Sequence, residues 1–162
     1  MALAESPSLD PSLEPMNSPA RDAFEKGLEL FGTGQLLAAL GQFERCFSQD
    51  SSNAVCESYI ALLIASERGQ LQKGLAICEE AVRKSPDEPV LYLNLGRLYV
   101  RAGRRGEAIE ALRKCLGMRN MPEAIAILDS LGTRKPPVFR FLPRDHFLNK
   151  YTGMFLKKAG FR

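Results

Sequence analysis

Apolar side chains recur along this chain in short stripes at helical spacing, broken by glycine, proline and small polar residues. Leu36, Leu40, Phe43 and Phe47 form one stripe, Leu71, Leu75, Cys78 and Val82 a second, and Ile109, Leu112 and Leu116 a third. A companion stripe precedes each of them: Phe24, Leu28 and Phe31; Tyr59, Leu62, Leu63 and Ser66; Leu91, Leu95 and Leu98. Steps of three and four residues place each set on one face of a helix, so the pattern predicts paired amphipathic helices. A further short helix is predicted over Pro122–Leu131, where Ala124, Ile127, Leu128 and Leu131 share a face and Gly132 follows.

The stripes repeat in register. Gly34, Gly69 and Gly103 are separated by 35 and 34 residues, and the same steps connect Ala39, Gly74 and Ala108. They also connect Phe43, Cys78 and Leu112, then Cys46, Ala81 and Cys115, then Ser51, Pro86 and Asn120. Each column has a physical reason. The first glycine supplies the left-handed residue that ends a helix. The small residue five positions later lets two antiparallel helices approach closely, and the larger residue four further on lies on the same face. The closing polar or proline position interrupts the second helix. Asp87 is the expected N-cap of the helix that begins near Pro89.

The third unit reads Tyr92-x2-Leu95-Gly96-x2-Tyr99, then Ala108-x3-Leu112. With a period near 34 residues, this resembles the tetratricopeptide repeat and its W-x2-L-G-x2-Y…A-x3-F…P pattern. The third unit departs by Tyr for Trp, Leu for Phe and Asn120 for the closing proline. The second keeps Ala81 and Pro86 but has Ala61-Leu62 where Leu-Gly is usual, and the first keeps Gly27 with Lys26 in the leucine slot. The resemblance spans roughly residues 20–122. It implies an all-α fold: an α-solenoid of three helix–turn–helix repeats, with the helix after Pro122 as a C-terminal cap over the last apolar edge. The expected organisation is a Pro/Ser-rich leader over 1–19, a repeat domain over 20–132 and a basic, aromatic extension over 133–162.

Charge sharpens this division. Residues 1–133 carry 14 basic and 18 acidic side chains, whereas residues 134–162 carry 8 and 1. The leader holds Pro7, Pro11, Pro15 and Pro19 among serines and acids, a composition that buries too little surface to order itself. The extension alternates apolar and basic residues between prolines up to Pro143 and is expected to be partly extended. Its Phe139, Phe141, Leu142, Phe147 and Tyr151 mark it as a segment that docks, either on the solenoid itself or elsewhere. No apolar run reaches transmembrane length, and the first 19 residues lack a secretory pattern, so a cytoplasmic setting is expected. Cys46, Cys56, Cys78 and Cys115 are accordingly expected as free thiols.

Candidate chemistry is sparse. His146 stands alone in the basic extension, and no nucleophile–base set assembles around it. The cysteines lie 10, 22 and 37 residues apart, which is not zinc-ligand spacing. No phosphate-binding glycine loop occurs. The expectation is a non-enzyme without cofactor or metal. Arg97, Arg101, Arg104 and Arg105 form either a solvated face or a positive patch for an acidic partner.

In tetratricopeptide proteins the first helices of the repeats line a groove that takes a peptide or partner helix. The resemblance therefore implies a groove of Phe24, Leu28, Phe31, Tyr59, Ile60, Leu63, Asn94, Arg97 and Arg101, apolar at one end and positive at the other. It also implies an exposed apolar patch at Phe24, Leu28, Phe31, Tyr59 and Leu63. Members that clamp a terminal carboxylate use Lys and Asn at positions where this chain has Phe24, Leu28, Ile60 and Val90, and only Asn94 is kept. That clamp is not expected. The reading is a protein-interaction adaptor or scaffold with a protein or peptide partner. The alternative is membrane-surface or nucleic-acid association through the basic extension.

Overall fold

The computed structural model describes residues 18–132 (the Ser18 side chain excepted) and contains seven helices among them. The tail residues Phe139, Phe141, Leu142, Phe147 and Tyr151, and with them His146, lie outside the described residues. The helices are α1 (Ser18–Gly32), α2 (Leu36–Gln49), α3 (Ala54–Glu67), α4 (Leu71–Lys84), α5 (Pro89–Arg101), α6 (Arg105–Met118) and α7 (Pro122–Ser130). They pack as three hairpins, α1 on α2, α3 on α4 and α5 on α6, with α7 against α6 and α5. Each second helix also touches the first helix of the next unit, and α3 lies beside α5. This is the expected all-α solenoid with its cap. Helix α1 starts inside the stretch assigned to the leader, because Pro19 in a first turn has no N–H to lose and a backbone φ already suited to a helix.

Local chemistry fixes the turns. Gly34, Gly69, Gly103 and Gly132 all have positive φ, between 59° and 77°. After α1 the Gly34 N–H donates to the Phe31 carbonyl and the Gln35 N–H to the Leu30 carbonyl; after α5, Gly103 and Arg104 repeat this with Val100 and Tyr99. These paired bonds satisfy carbonyls that a helix end leaves open. At the start of α3 the Asn53 side chain accepts from the Cys56 N–H at 2.8 Å. The cap of α5 differs from expectation: Glu88, not Asp87, is the N-cap, and its carboxylate accepts from the Val90 N–H. Pro89 accounts for the shift, since it takes the first helical position and the residue before it must stay extended.

Helix pairs interlock by exchanging volume. A Cβ on Gly27 would sit 2.8 Å from the Phe43 ring, and one on Gly96 would sit 2.7 Å from Leu112. The middle unit reverses the arrangement, with Leu62 in the glycine slot and small Cys78 opposite, both in one core cluster. The departure of Ala61-Leu62 from the repeat pattern is thus a compensated size swap. Gly41 shows the contrary case, for it is exposed within α2 and a Cβ there meets nothing within 4 Å. Gly41→Ala is expected to stabilise the protein by about 0.5–1 kcal/mol, read as a higher urea midpoint, because only backbone entropy changes.

The expectation of four free thiols fails at the first junction. Cys46 on α2 and Cys56 on α3 form a disulfide, with Cα atoms 6.5 Å apart. The repeat register explains the meeting. The equivalent residues are Ala81 and Val90 at the second junction and Cys115 and Ala124 at the third, and each of those pairs shares a core cluster. Spacing along the chain carries no trace of this contact, which only the hairpin stack creates. Cys78 and Cys115 are free and buried, filling packing slots as expected. No helix among the described residues is long and apolar enough to cross a membrane.

Candidate ligand-binding face

The first helices α1, α3 and α5 present one continuous surface, and the residues expected to line it separate into two groups. Phe24, Tyr59, Leu63 and Asn94 are buried, at 2%, 9%, 0% and 0% exposure. The expected apolar patch is therefore corrected at Phe24, Tyr59 and Leu63, which are core. Leu28, Phe31 and Ile60 are half-buried and pack against that core, Arg97 is half-buried, and Arg101 is exposed.

The burial has a structural cause. Gly27 lets the Phe43 ring slide beneath α1. Phe43 then stacks on Tyr59 with centroids 4.6 Å apart and planes 9° from parallel. Phe24 meets both rings edge-on, at 5.7 and 6.0 Å, and Phe31 meets Tyr59 edge-on at 5.5 Å. Four aromatics close the first junction, and such edge and offset contacts each add about 0.5–1.5 kcal/mol beyond burial. Tyr59 is consumed in this cluster, while Phe31 at its rim keeps part of its surface open.

The polar half is organised by a buried chain of hydrogen bonds. Ser58 and Asn94 are the buried polar residues among those described. The Ser58 hydroxyl donates to the Val55 carbonyl at 2.8 Å and accepts from the Asn94 amide at 3.0 Å. The Asn94 oxygen in turn accepts from Arg97 Nη1 at 3.1 Å. Arg97 Cζ lies 5.8 Å from the Phe31 ring centroid, so an arginine on α5 reaches an aromatic on α1. Arg101 donates to the Ser66 carbonyl at 3.4 Å.

The expected four-arginine patch divides here. Arg104 turns to α6, to α5 and to α4 of the preceding unit: its Nε bonds Glu107 at 2.9 Å, its guanidinium covers the Tyr99 ring at 4.7 Å, and its Nη1 lies 3.8 Å from Glu79. Tyr99 also donates to Glu79 at 2.8 Å, and burial together with that bond pushes its phenol up to about 12. Arg97 and Arg101, by contrast, rest on neutral oxygens, and neither forms an ion pair among the described residues. Sequence reasoning placed Asn94 on the surface and did not single out Ser58. The available signals were an asparagine inside the apolar run from Val90 to Leu98, and a serine in the slot that Tyr92 fills one unit later. No group of three His, Cys, Asp or Glu suited to a metal occurs among the described residues.

Residues 65–116 match the family model described as tetratricopeptide repeat. No curated protein sequence matches the chain. The fold is similar to solved structures of that family. The first such domain of Spaghetti (RPAP3), solved bound to the HSP90 peptide SRMEEVD, is 20% identical with TM-score 0.57 and covers 72% of this chain and 94% of its own. The Arabidopsis OM64 domain is 18% identical with TM-score 0.58, covering 76% and 99%. The Sgt2 domain of Aspergillus fumigatus is 16% identical with TM-score 0.60, covering 76% and 89%. At these identities the likeness is one of fold.

Proposed function

We propose that this chain, which matches the tetratricopeptide repeat over residues 65–116 and has the fold of such domains, is a protein-interaction adaptor that holds an extended peptide against α1, α3 and α5. The observation that carries this reading is the half-open strip of Leu28, Phe31 and Ile60 beside two arginines that lack a carboxylate partner among the described residues. Apolar side chains of a ligand would cover the strip, and its polar groups would meet Arg97 and Arg101. Fold-related domains support the class of ligand, since that of Spaghetti was solved with an HSP90 peptide and one of human RPAP3 with an HSP70 peptide. The residue pattern does not support the same mode of binding, because Phe24, Leu28, Ile60 and Val90 occupy the positions where carboxylate-clamp members carry Lys or Asn.

Leu63 is unsuitable for testing this, since a charge at a fully buried site unfolds the protein. The pair to compare is Ile60→Glu, on the strip, and Leu37→Glu, at the 66% exposed apolar residue of α2. Peptides selected from a random displayed library on the native protein are expected to lose at least roughly tenfold in affinity with Ile60→Glu, by the worth of one well-packed contact. Leu37→Glu should leave them unchanged, with circular dichroism confirming both folds. The reverse pattern, loss with Leu37→Glu alone, places the ligand on the other face and ends this reading.

A further inference from the structure

The relay Ser58–Asn94–Arg97 is costly as mere packing. Two fully buried polar side chains stand at positions that apolar residues fill without penalty. Every bond of the relay leads outward to one guanidinium: the Val55 carbonyl fixes Ser58, Ser58 fixes Asn94, and Asn94 fixes Arg97. The Phe31 ring supports the same guanidinium from across α3. An arginine gripped by a neutral oxygen and an aromatic face has lost part of its hydration and conformational freedom, and among the described residues only its Nη1 is given a hydrogen-bond partner. Surface arginines elsewhere in the fold, such as Arg21, Arg68, Arg83 and Arg104, reach carboxylates of this chain.

We propose that Arg97 is a preorganised anchor for an internal Asp or Glu side chain of an extended peptide, with the apolar residue two positions away seated by Phe31 and Ile60. This deepens the adaptor reading and rests on it. The charge of an acidic side chain complements an arginine that has no ion-pair partner among the described residues. The spacing also fits, since side chains two apart on one face of an extended strand are separated by about 6.6 Å, against 5.8 Å from Arg97 Cζ to the Phe31 centroid. Arg97 acts by position as well as charge, so lysine is a poor substitute: it lacks the planar fork that bonds Asn94 and a carboxylate together. Asn94 is a positioning residue, touching Arg97 and not the ligand.

Fluorescence polarisation with blocked, C-terminally amidated heptapeptide pools tests this. One pool fixes leucine, one spacer and glutamate; the second has glutamine in place of glutamate; a third has the glutamine pool's composition with a free C-terminal carboxylate. The wild type is expected to bind the glutamate pool roughly tenfold more tightly than the glutamine pool, the worth of a charge-assisted pair. Arg97→Gln should erase that preference, so that this variant binds the glutamate and glutamine pools with equal affinity, and Arg97→Lys should restore little of it. Equal affinity for the first two pools in the wild type, or a preference that survives Arg97→Gln, overturns the proposal and leaves the adaptor reading standing. A preference for the free-carboxylate pool alone also overturns it, in favour of a terminal clamp. Failure of every pool to bind, with circular dichroism showing a folded protein, overturns the proposal; if library selection also yields no ligand for this face, the adaptor reading falls with it.

Discussion

Gly74→Val is expected to destabilise the protein by about 3 kcal/mol, at the upper end of what overpacking costs. A Cβ at Gly74 would lie 2.5 Å from the Ala61 carbonyl oxygen and 3.0 Å from the Ala65 Cβ. The first of these is backbone, so no side-chain rotation relieves the contact and α3 must move away from α4. At Gly27 and Gly96 the nearest atoms belong to the side chains of Phe43 and Leu112 and not to backbone. Substitution there should cost less than at Gly74. Chemical unfolding of Gly74→Val, Gly96→Val and Gly41→Ala as a set checks the order, with Gly41→Ala moving the midpoint the opposite way. Valine at Gly74 with little loss would mean that the central hairpin is looser than its geometry implies.

Loss of the Cys46–Cys56 bond should have an effect of similar size. The bond closes a loop of sequence separation 10, and removing such a constraint on the unfolded chain costs about 2–3 kcal/mol. The double variant Cys46→Ala, Cys56→Val copies the Ala81 and Val90 pair of the second junction, so it removes the covalent link and keeps a packing solution the fold already uses. Unfolding of wild type with and without reductant, beside this variant, should give one common loss. Thiol labelling identifies the bond directly. In denaturant without reductant two cysteines, Cys78 and Cys115, should react, and after reduction all four. In the native protein near neutral pH, Cys78 should resist alkylation, since burial above all, with Glu79 and Glu57 adding to it, pushes its thiol up to about 12. Four reactive thiols in denaturant alone would contradict the linkage.

The sequence made the architecture legible because repetition writes each rule three times. The left-handed glycines, the small residue at the hairpin contact and the cap at Pro122 each follow from local chemistry that a single chain displays. What the sequence hid depends on contact between distant units. Tyr59 has groove spacing, yet the ring that buries it, Phe43, enters through space left by Gly27 in another helix. Asn94 likewise has groove spacing, but Ser58 beside it in α3 turns it inward. Cys46 and Cys56 were expected as free thiols because the column of Cys46 was read within each unit, Cys56 stood in none, and their meeting lies across the junction. Arg104 grouped with Arg97 and Arg101 along the chain, and the glycine turn at Gly103 sends it to the opposite side, toward Glu79 and Glu107. Periodicity therefore identified the helices that form the face, and tertiary packing decided which of their side chains remain available on it.

The claim that a ligand lies along the first helices of the repeats is tested most directly by an amide NMR map of the full chain, titrated with a peptide selected from a displayed library. The largest shifts are expected on α1, α3 and α5, centred on Phe31, Ile60 and Arg97, with α2, α4 and α6 little changed. Shifts concentrated on the second helices, at Leu37 or along the outer face of α4, would contradict it.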